Sequence, residues 1–237
     1  MDLKGKVAYI TGGTKGIGYG VAEELLKAGM KVAISGRKLE DAQKAAKNLS
    51  SDDSLVLGLS SDVTNLQDEK NAVKSILDKF GKLDVVLANA GVGHFAAIDE
   101  LEDEKWHQMI DTNLNGVYHT LKASVDALKD SKGYYMTLAS LAGTNFFPTA
   151  AGYNATKFGV VGFTQAVMLD LRKYDIKVST IMPGSVASHF NDHNPSEEDA
   201  WKIQPEDIGK IVIDLLKMHP RTLPSKIEVR PSRPDKK

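Results

Sequence analysis

The sequence contains no cysteine, which excludes disulfides, thiolate catalysis and Cys-ligated metal sites. It also has no excess of charge of either sign. Its 30 Lys and Arg against 31 Asp and Glu leave a net charge of −1, so no overall field draws it to nucleic acid or to an anionic membrane. No apolar run approaches the roughly 18 residues that a membrane span requires. The opening Met1-Asp2-Leu3-Lys4-Gly5-Lys6 lacks a signal-peptide pattern and leads straight into a strand-like segment. Neither nucleic acid nor membrane is expected as a partner, and a cytoplasmic location is expected. The six histidines (His94, His107, His119, His189, His193, His219) show no paired ligand spacing, so no metal is expected.

What is present is a chain of 237 residues, 42% hydrophobic, enough for one large core and a single domain spanning 1–237. Short apolar runs at Val7–Ile10, Lys31–Ser35, Leu55–Leu59 and Val85–Ala88 read as strands buried on both faces. Between them lie helical patterns: Val21, Ala22, Leu25 and Leu26 as far as a Gly29 cap, then Leu39–Leu49, then a helix opened by a Thr64/Gln67 capping box and running to about Phe80. Strands alternating with helices imply a parallel sheet with helices on both faces. Further on, Glu102–Leu128 reads as one helix or two. Gly133–Leu138, Lys177–Met182 and Ile227–Val229 read as strands, Tyr153–Lys173 and Pro205–Lys217 as helices. Gly159 and Gly162 inside a helix each cost about 1 kcal/mol relative to Ala, which points to close packing against the sheet or another subunit. The tail 230–237, with two prolines and four basic residues, is expected to be loose.

Two stretches carry chemistry. Thr11-Gly12-Gly13-Thr14-Lys15-Gly16-Ile17-Gly18 stands between the first strand and its helix, where glycines let backbone N–H groups approach a phosphate at a helix N-terminus. Gly152-Tyr153-Asn154-Ala155-Thr156-Lys157 places a phenol and an ammonium one turn apart on a helix. A neighbouring cation favours phenolate and brings Tyr toward the range useful for acid–base work. A second such pair, Tyr118 and Lys122, lies inside a helix, and spacing alone does not separate the two.

Together these pieces resemble the short-chain dehydrogenase/reductase family over roughly residues 5–229. The glycine motif is matched by Thr11, Gly12, Gly16 and Gly18, the Asn-Ala-Gly after the fourth strand by Asn89, Ala90 and Gly91, and the Pro-Gly after the sixth by Pro183 and Gly184. The resemblance implies a Rossmann-type doubly wound parallel α/β sheet of about seven strands flanked by helices on both faces. It puts the catalytic set on Asn113, Ser140, Tyr153 and Lys157. Ser140 ends a strand shortly before Tyr153, so Tyr153 rather than Tyr118 is the expected proton donor, with Tyr118 a packing residue beside a solvated Lys122. Cofactor contacts implied by the resemblance fall on Gly12, Thr14, Lys15, Gly16, Ile17, Gly18, Arg37, Asp62, Val63, Asn89, Ala90, Gly91, Tyr153, Lys157, Pro183, Gly184, Val186 and Ser188. In similar proteins Lys157 would lower the Tyr153 pKa and hold the nicotinamide ribose, Asn113 would position a water, and Asp62 would meet the adenine.

NAD-specific relatives carry an acidic residue at the end of the second strand. Here that position is Gly36, followed by Arg37 and faced by Lys15, so NADP(H) is the expected cofactor. The expected substrate is a ketone, an aldehyde or a secondary alcohol. A 3-oxoacyl thioester is one option, a sugar or polyol another, and a non-catalytic NADPH sensor is the remaining alternative. Similar proteins pair through the helices near 104–128 and 153–173, so a homodimer or homotetramer is expected. Two departures stand out: Ser188 where the family commonly has Thr, and a C-terminus without the Gly-rich close of many 3-oxoacyl-carrier-protein reductases. The polar segment 185–203 is expected to cover the substrate.

Overall fold

The computed structural model describes residues 2–233; residues 234–237, part of the expected loose tail, lie outside the described residues. Seven parallel strands form one sheet in the order β3-β2-β1-β4-β5-β6-β7. They are β1 (Val7–Ile10), β2 (Lys31–Gly36), β3 (Val56–Ser60), β4 (Val85–Ala88), β5 (Tyr134–Leu138), β6 (Lys177–Pro183) and β7 (Lys226–Val229). The helices are α1 (Gly16–Lys27), α2 (Leu39–Leu49), α3 (Leu66–Phe80), α4 (Asp103–Ile110), α5 (Gly116–Ser131), α6 (Ala151–Leu171) and α7 (Pro205–Lys217).

The sheet is apolar on both faces because successive strand residues point to opposite sides. On β1, Ala8 and Ile10 join a core with Val21 and Leu25 of α1, Ala46 of α2 and Val212 and Leu216 of α7. Val7 and Tyr9 join the opposite core, with Val73 and Ile76 of α3, Val117 of α5 and Val160 of α6. This is the doubly wound α/β arrangement. Chain order reverses between β1 and β4, and at such a switch point the carboxyl ends of the strands open a crevice. No helix among the described residues is long and apolar enough to cross a membrane.

Several local expectations need correction. Helix α3 is not capped by Thr64. Asn65 is its cap, accepting from the Gln67 N–H at 2.9 Å, while the Thr64 hydroxyl is taken by Asp62 Oδ1 at 2.8 Å. The stretch from Glu102 to Leu128 holds two helices in succession, the second of the two expected readings. A single π turn, Asp111–Asn115, joins α4 to α5. Gly159 makes a close approach within the chain, since a Cβ there would sit 3.2 Å from the Leu114 side chain. Gly162 does not pack against the sheet: among the described residues nothing lies within 4 Å of the corresponding Cβ position. Tyr118 is not packed away: it is 46% exposed on α5, tilted against His119.

Candidate active site

The glycine turn after β1 has its shape fixed from the neighbouring strand. The Asn89 and Ala90 N–H groups donate to Thr11 Oγ1 at 3.0 and 3.1 Å, and Asn89 Nδ2 donates to the carbonyls of Thr11 and Gly12 at 2.8 and 3.1 Å. Gly12 and Gly16 take left-handed φ values of +63° and +59°, which favour glycine. A Cβ on Gly18 would fall 2.6 Å from Asn89 Nδ2 and 2.8 Å from the Gly12 carbonyl oxygen, so this position admits no side chain. The first turn of α1, from Gly16 through Ile17, therefore presents N–H groups without intrahelical partners to a bare concave surface.

From there a cavity of about 1200 Å³ runs along the carboxyl edge of the sheet. At one end it is lined by Thr14, Lys15, Arg37, Asp62 and Val63, and near the middle by Gly12, Ala90, Gly91, Pro183 and Gly184. Val186 and Ser188 line it too, Ser188 close to the glycine turn, and Ser140, Tyr153 and Lys157 line the far end. Of the expected site residues, only Gly18 and Asn113 do not reach this cavity. Gly18 acts through the close approach just described. Asn113 acts from beneath, buried at the π turn. Its Nδ2 donates to the Val92 carbonyl at 2.8 Å and to Thr156 Oγ1 at 3.1 Å, while the Val92 N–H donates to its Oδ1 at 2.8 Å.

Ser140 lies at the end of β5, with its Oγ accepting from the Ala142 N–H at 3.1 Å. Tyr153 and Lys157 are both buried, one turn apart on α6. The Lys157 ammonium donates to the Leu138 carbonyl at 3.0 Å. The expectation that Lys157 draws the Tyr153 pKa down is not met. Burial pushes the phenol up to about 12, against a smaller downward pull from the Ser140 hydroxyl. Burial also brings Lys157 down to about 8. Both groups share one dry pocket, so the cost of charging either outweighs what one gives the other.

The segment 185–203 folds back on itself. Val186 forms a parallel bridge with Ile203, and the Ala187 N–H donates to the Ile203 carbonyl at 2.9 Å. Buried Asp199 gathers Lys202 Nζ at 2.5 Å, His193 Nε2 at 2.6 Å and the Ser196 N–H at 3.0 Å. Those bonds, Lys202 first, hold its carboxyl well below the usual range. The Ser188 Cβ stands 3.4 Å from the position a Gly16 Cβ would take, so this segment closes against the glycine turn. Of the expected loose tail, Arg230 and Pro231 return to line the cavity.

Two groupings escaped the sequence reading. Phe95 and Phe190 stand beside Tyr153, and Phe147, from a third loop, stands against Phe95. A lone Phe190 amid polar residues and a Phe146-Phe147 pair were the available signals. Beneath the Asp62 loop, Glu69 is fully buried, accepting from Ser61 Oγ at 2.6 Å and from the Tyr9 hydroxyl at 2.9 Å. Burial pushes its carboxyl up, and its Oε2 has no hydrogen-bond partner among the described residues. The sequence signals were a Tyr inside an apolar strand and a Glu on the buried side of α3.

A dinucleotide-sized crevice at a sheet's switch point, ending on a buried Tyr–Lys pair beside a serine, defines a nucleotide-dependent oxidoreductase of Rossmann type. A family model described as short chain dehydrogenase matches residues 6–199, and the chain belongs to that family. An uncharacterized oxidoreductase of Staphylococcus aureus strain MW2 is 34% identical over 231 residues, covering 97% of this chain and 98% of the relative. Among solved structures, an alcohol dehydrogenase from the archaeon Thermococcus sibiricus, complexed with 5-hydroxy-NADP, superposes with a TM-score of 0.90 at 31% identity over 98% of this chain and 99% of that one. The 3-ketoacyl-(acyl-carrier-protein) reductase from Brucella melitensis, complexed with NADH, gives a TM-score of 0.89 at 27% identity over the same shares.

Proposed function

We propose that the protein is an NADPH-dependent reductase of a ketone or aldehyde, able to run in reverse on the secondary or primary alcohol. The observation that carries this is the placement of Tyr153, Lys157 and Ser140 at the end of a cavity that begins at Lys15 and Arg37. The residues fit a dinucleotide. The bare turn at Gly12, Gly16 and Gly18 suits a pyrophosphate at the start of α1, and Asp62 with Val63 offers a carboxylate and an apolar side chain for an adenine. Asp62 Oδ1 is occupied by Thr64, leaving its other oxygen for that contact.

When bound, the reduced nicotinamide supplies a hydride. Tyr153 gives its phenolic proton to the substrate oxygen as negative charge builds there; with a pKa near 12 it is fully protonated at neutral pH. The Ser140 hydroxyl orients that oxygen. Lys157, charged below about pH 8, lies against the same pocket and is assigned to the ribose. Asn113 spends both amide hydrogens and one acceptor site on Val92 and Thr156, which leaves one lone pair on Oδ1 for the relay water.

NADPH is favoured over NADH because Gly36 leaves no carboxylate to repel a 2′-phosphate, while Arg37 and Lys15 are exposed cations at that end of the cavity. The test is kcat/KM for each cofactor with one reducible carbonyl; a preference for NADH would overturn the assignment. For assembly we propose a homodimer at least, formed through the outer faces of α5 and α6. Tyr118, Phe158 and Leu169 are exposed there and Gly162 leaves room for a close approach.

A further inference from the structure

We infer that the preferred substrate carries a flat aromatic group directly on its carbonyl carbon, rather than a thioester-linked acyl chain or a polyol. This rests on the carbonyl-reductase reading of the same cavity. Phe95 meets the Tyr153 ring edge to face with centroids 5.3 Å apart, and Phe190 meets it at 5.6 Å. Phe95 in turn lies 6.4 Å from Phe190 and 6.1 Å from Phe147. These rings form one continuous apolar wall beginning at the proposed proton donor.

The wall is not a piece of the hydrophobic core. Phe95, Phe147 and Phe190 are 38%, 45% and 37% exposed, and none belongs to either core on the two faces of the sheet. Three large rings from three separate loops thus leave apolar area open to the cavity, where a ligand can cover it. The position of Phe190 is itself built in: a Cβ on Gly93 would overlap the tip of its ring, so the glycine at 93 makes its seat.

Competing substrates find less. A polyol needs several unpaired donors and acceptors near the reacting carbon. Of the polar residues lining the cavity, Gln108 is taken up by His94, with His94 Nε2 2.7 Å from Gln108 Oε1. An acidic carrier protein needs free cations at the mouth. Lys202 is bonded to Asp199, and Arg230 Nη2 lies 3.0 Å from Glu228 Oε2.

The test compares NADPH oxidation by the wild-type protein on benzaldehyde, 1-phenyl-1,2-propanedione, acetoacetyl-CoA and dihydroxyacetone. It also titrates benzamide, an unreactive aryl carbonyl, into the NADP⁺-loaded protein. Aryl carbonyls should lead the other two by roughly tenfold or more in kcat/KM, within the reach of one apolar contact surface. Phe190→Ala and Phe95→Ala should each weaken benzamide binding by about tenfold, and Phe190→Leu by less. Higher kcat/KM on acetoacetyl-CoA or dihydroxyacetone, or benzamide binding untouched in both alanine variants, would overturn the aryl assignment while leaving the reductase reading in place. Failure to reduce any of the four would remove that reading and this inference with it.

Discussion

Lys157 Nζ lies 5.5 Å from the centroid of the Tyr153 ring, yet gives its hydrogen bond to the Leu138 carbonyl, not to the phenol. The lysine is thus tethered to the end of β5, the strand that also delivers Ser140. Its position is set by the sheet as much as by its own helix.

Burying that ammonium has a cost that can be measured. With a folded pKa of about 8 below the ordinary 10.5, Lys157 holds its proton less tightly in the folded state. Between those values the unfolded chain binds more protons, so this group makes stability rise with pH across that window and fall again as pH drops through 8. Keeping the ammonium buried at neutral pH costs at most about 3 kcal/mol, partly returned by the bond to Leu138. Lys157→Met should therefore be inactive but more stable than wild type by roughly 1–2 kcal/mol at pH 7. Denaturant titrations at pH 7 and pH 10 should show the difference shrinking; a variant less stable at both would sink the idea.

Tyr153→Phe keeps the ring against Phe95 and removes only the proton donor. Turnover should fall by about 10²-fold or more, with NADPH binding retained. Tyr118→Phe, on the outer face of α5, should leave the rate of carbonyl reduction nearly unchanged. Wild-type turnover in Tyr153→Phe would show that another group delivers the proton.

Cofactor choice should respond to Arg37 more cleanly than to Gly36. Each charge-assisted contact is worth about 1.5–3 kcal/mol before discounting for exposure, so Arg37→Ala should lower kcat/KM for NADPH by roughly tenfold and leave NADH nearly constant. An acid at position 36 is hindered, because a Cβ there would stand 2.7 Å from the Thr14 methyl. Conversion toward NADH should thus need Thr14→Ser alongside Gly36→Asp. If Gly36→Asp alone switches the preference without loss of stability, the contact with Thr14 is not limiting.

Helix α3 offers a stability test with an internal control. Asn65→Ala removes the side chain that caps the helix and should cost about 1 kcal/mol. Thr64→Ala loses only the bond to Asp62 and should cost less. Thermal melts giving the reverse order would reinstate Thr64 as the cap.

Light scattering at micromolar concentration should give at least twice the chain mass. Leu169, 58% exposed on α6, is the place to interfere, and Leu169→Arg should shift the protein toward one chain. A single-chain mass for the wild type would remove the pairing proposal.

Much of the fold could be read in advance because it rests on local patterns. The apolar runs at Val7–Ile10 and Val85–Ala88 could be little else than strands buried on both faces, and Pro205 with its acidic neighbours marks the start of α7. The cap of α3 could not be assigned, because Thr64 and Asn65 are adjacent and both suited. The choice falls to Asp62, which takes the Thr64 hydroxyl and leaves Asn65 to the helix. The candidate site divides the same way. Ser140, Tyr153 and Lys157 lie close in sequence and were found through motifs. The aromatic wall was not, since Phe95, Phe147 and Phe190 meet only when three loops converge, and no spacing encodes that meeting. Nor did residue types announce that burial would lift Tyr153 rather than a cation lower it; that depends on how dry the finished pocket is.

The π turn at Asp111–Asn115 puts α4 and α5 out of phase with each other. A helix that carries one residue too many for its hydrogen-bond ladder can return to regular pitch by losing it. Removing Leu114 would do so, and would swing everything after it by about 100° around the axis. The Val117 carbonyl would then leave the Tyr135 hydroxyl that donates to it at 2.7 Å. Length therefore matters in this stretch: dropping one residue costs the chain the anchor that ties α5 to the underside of the sheet.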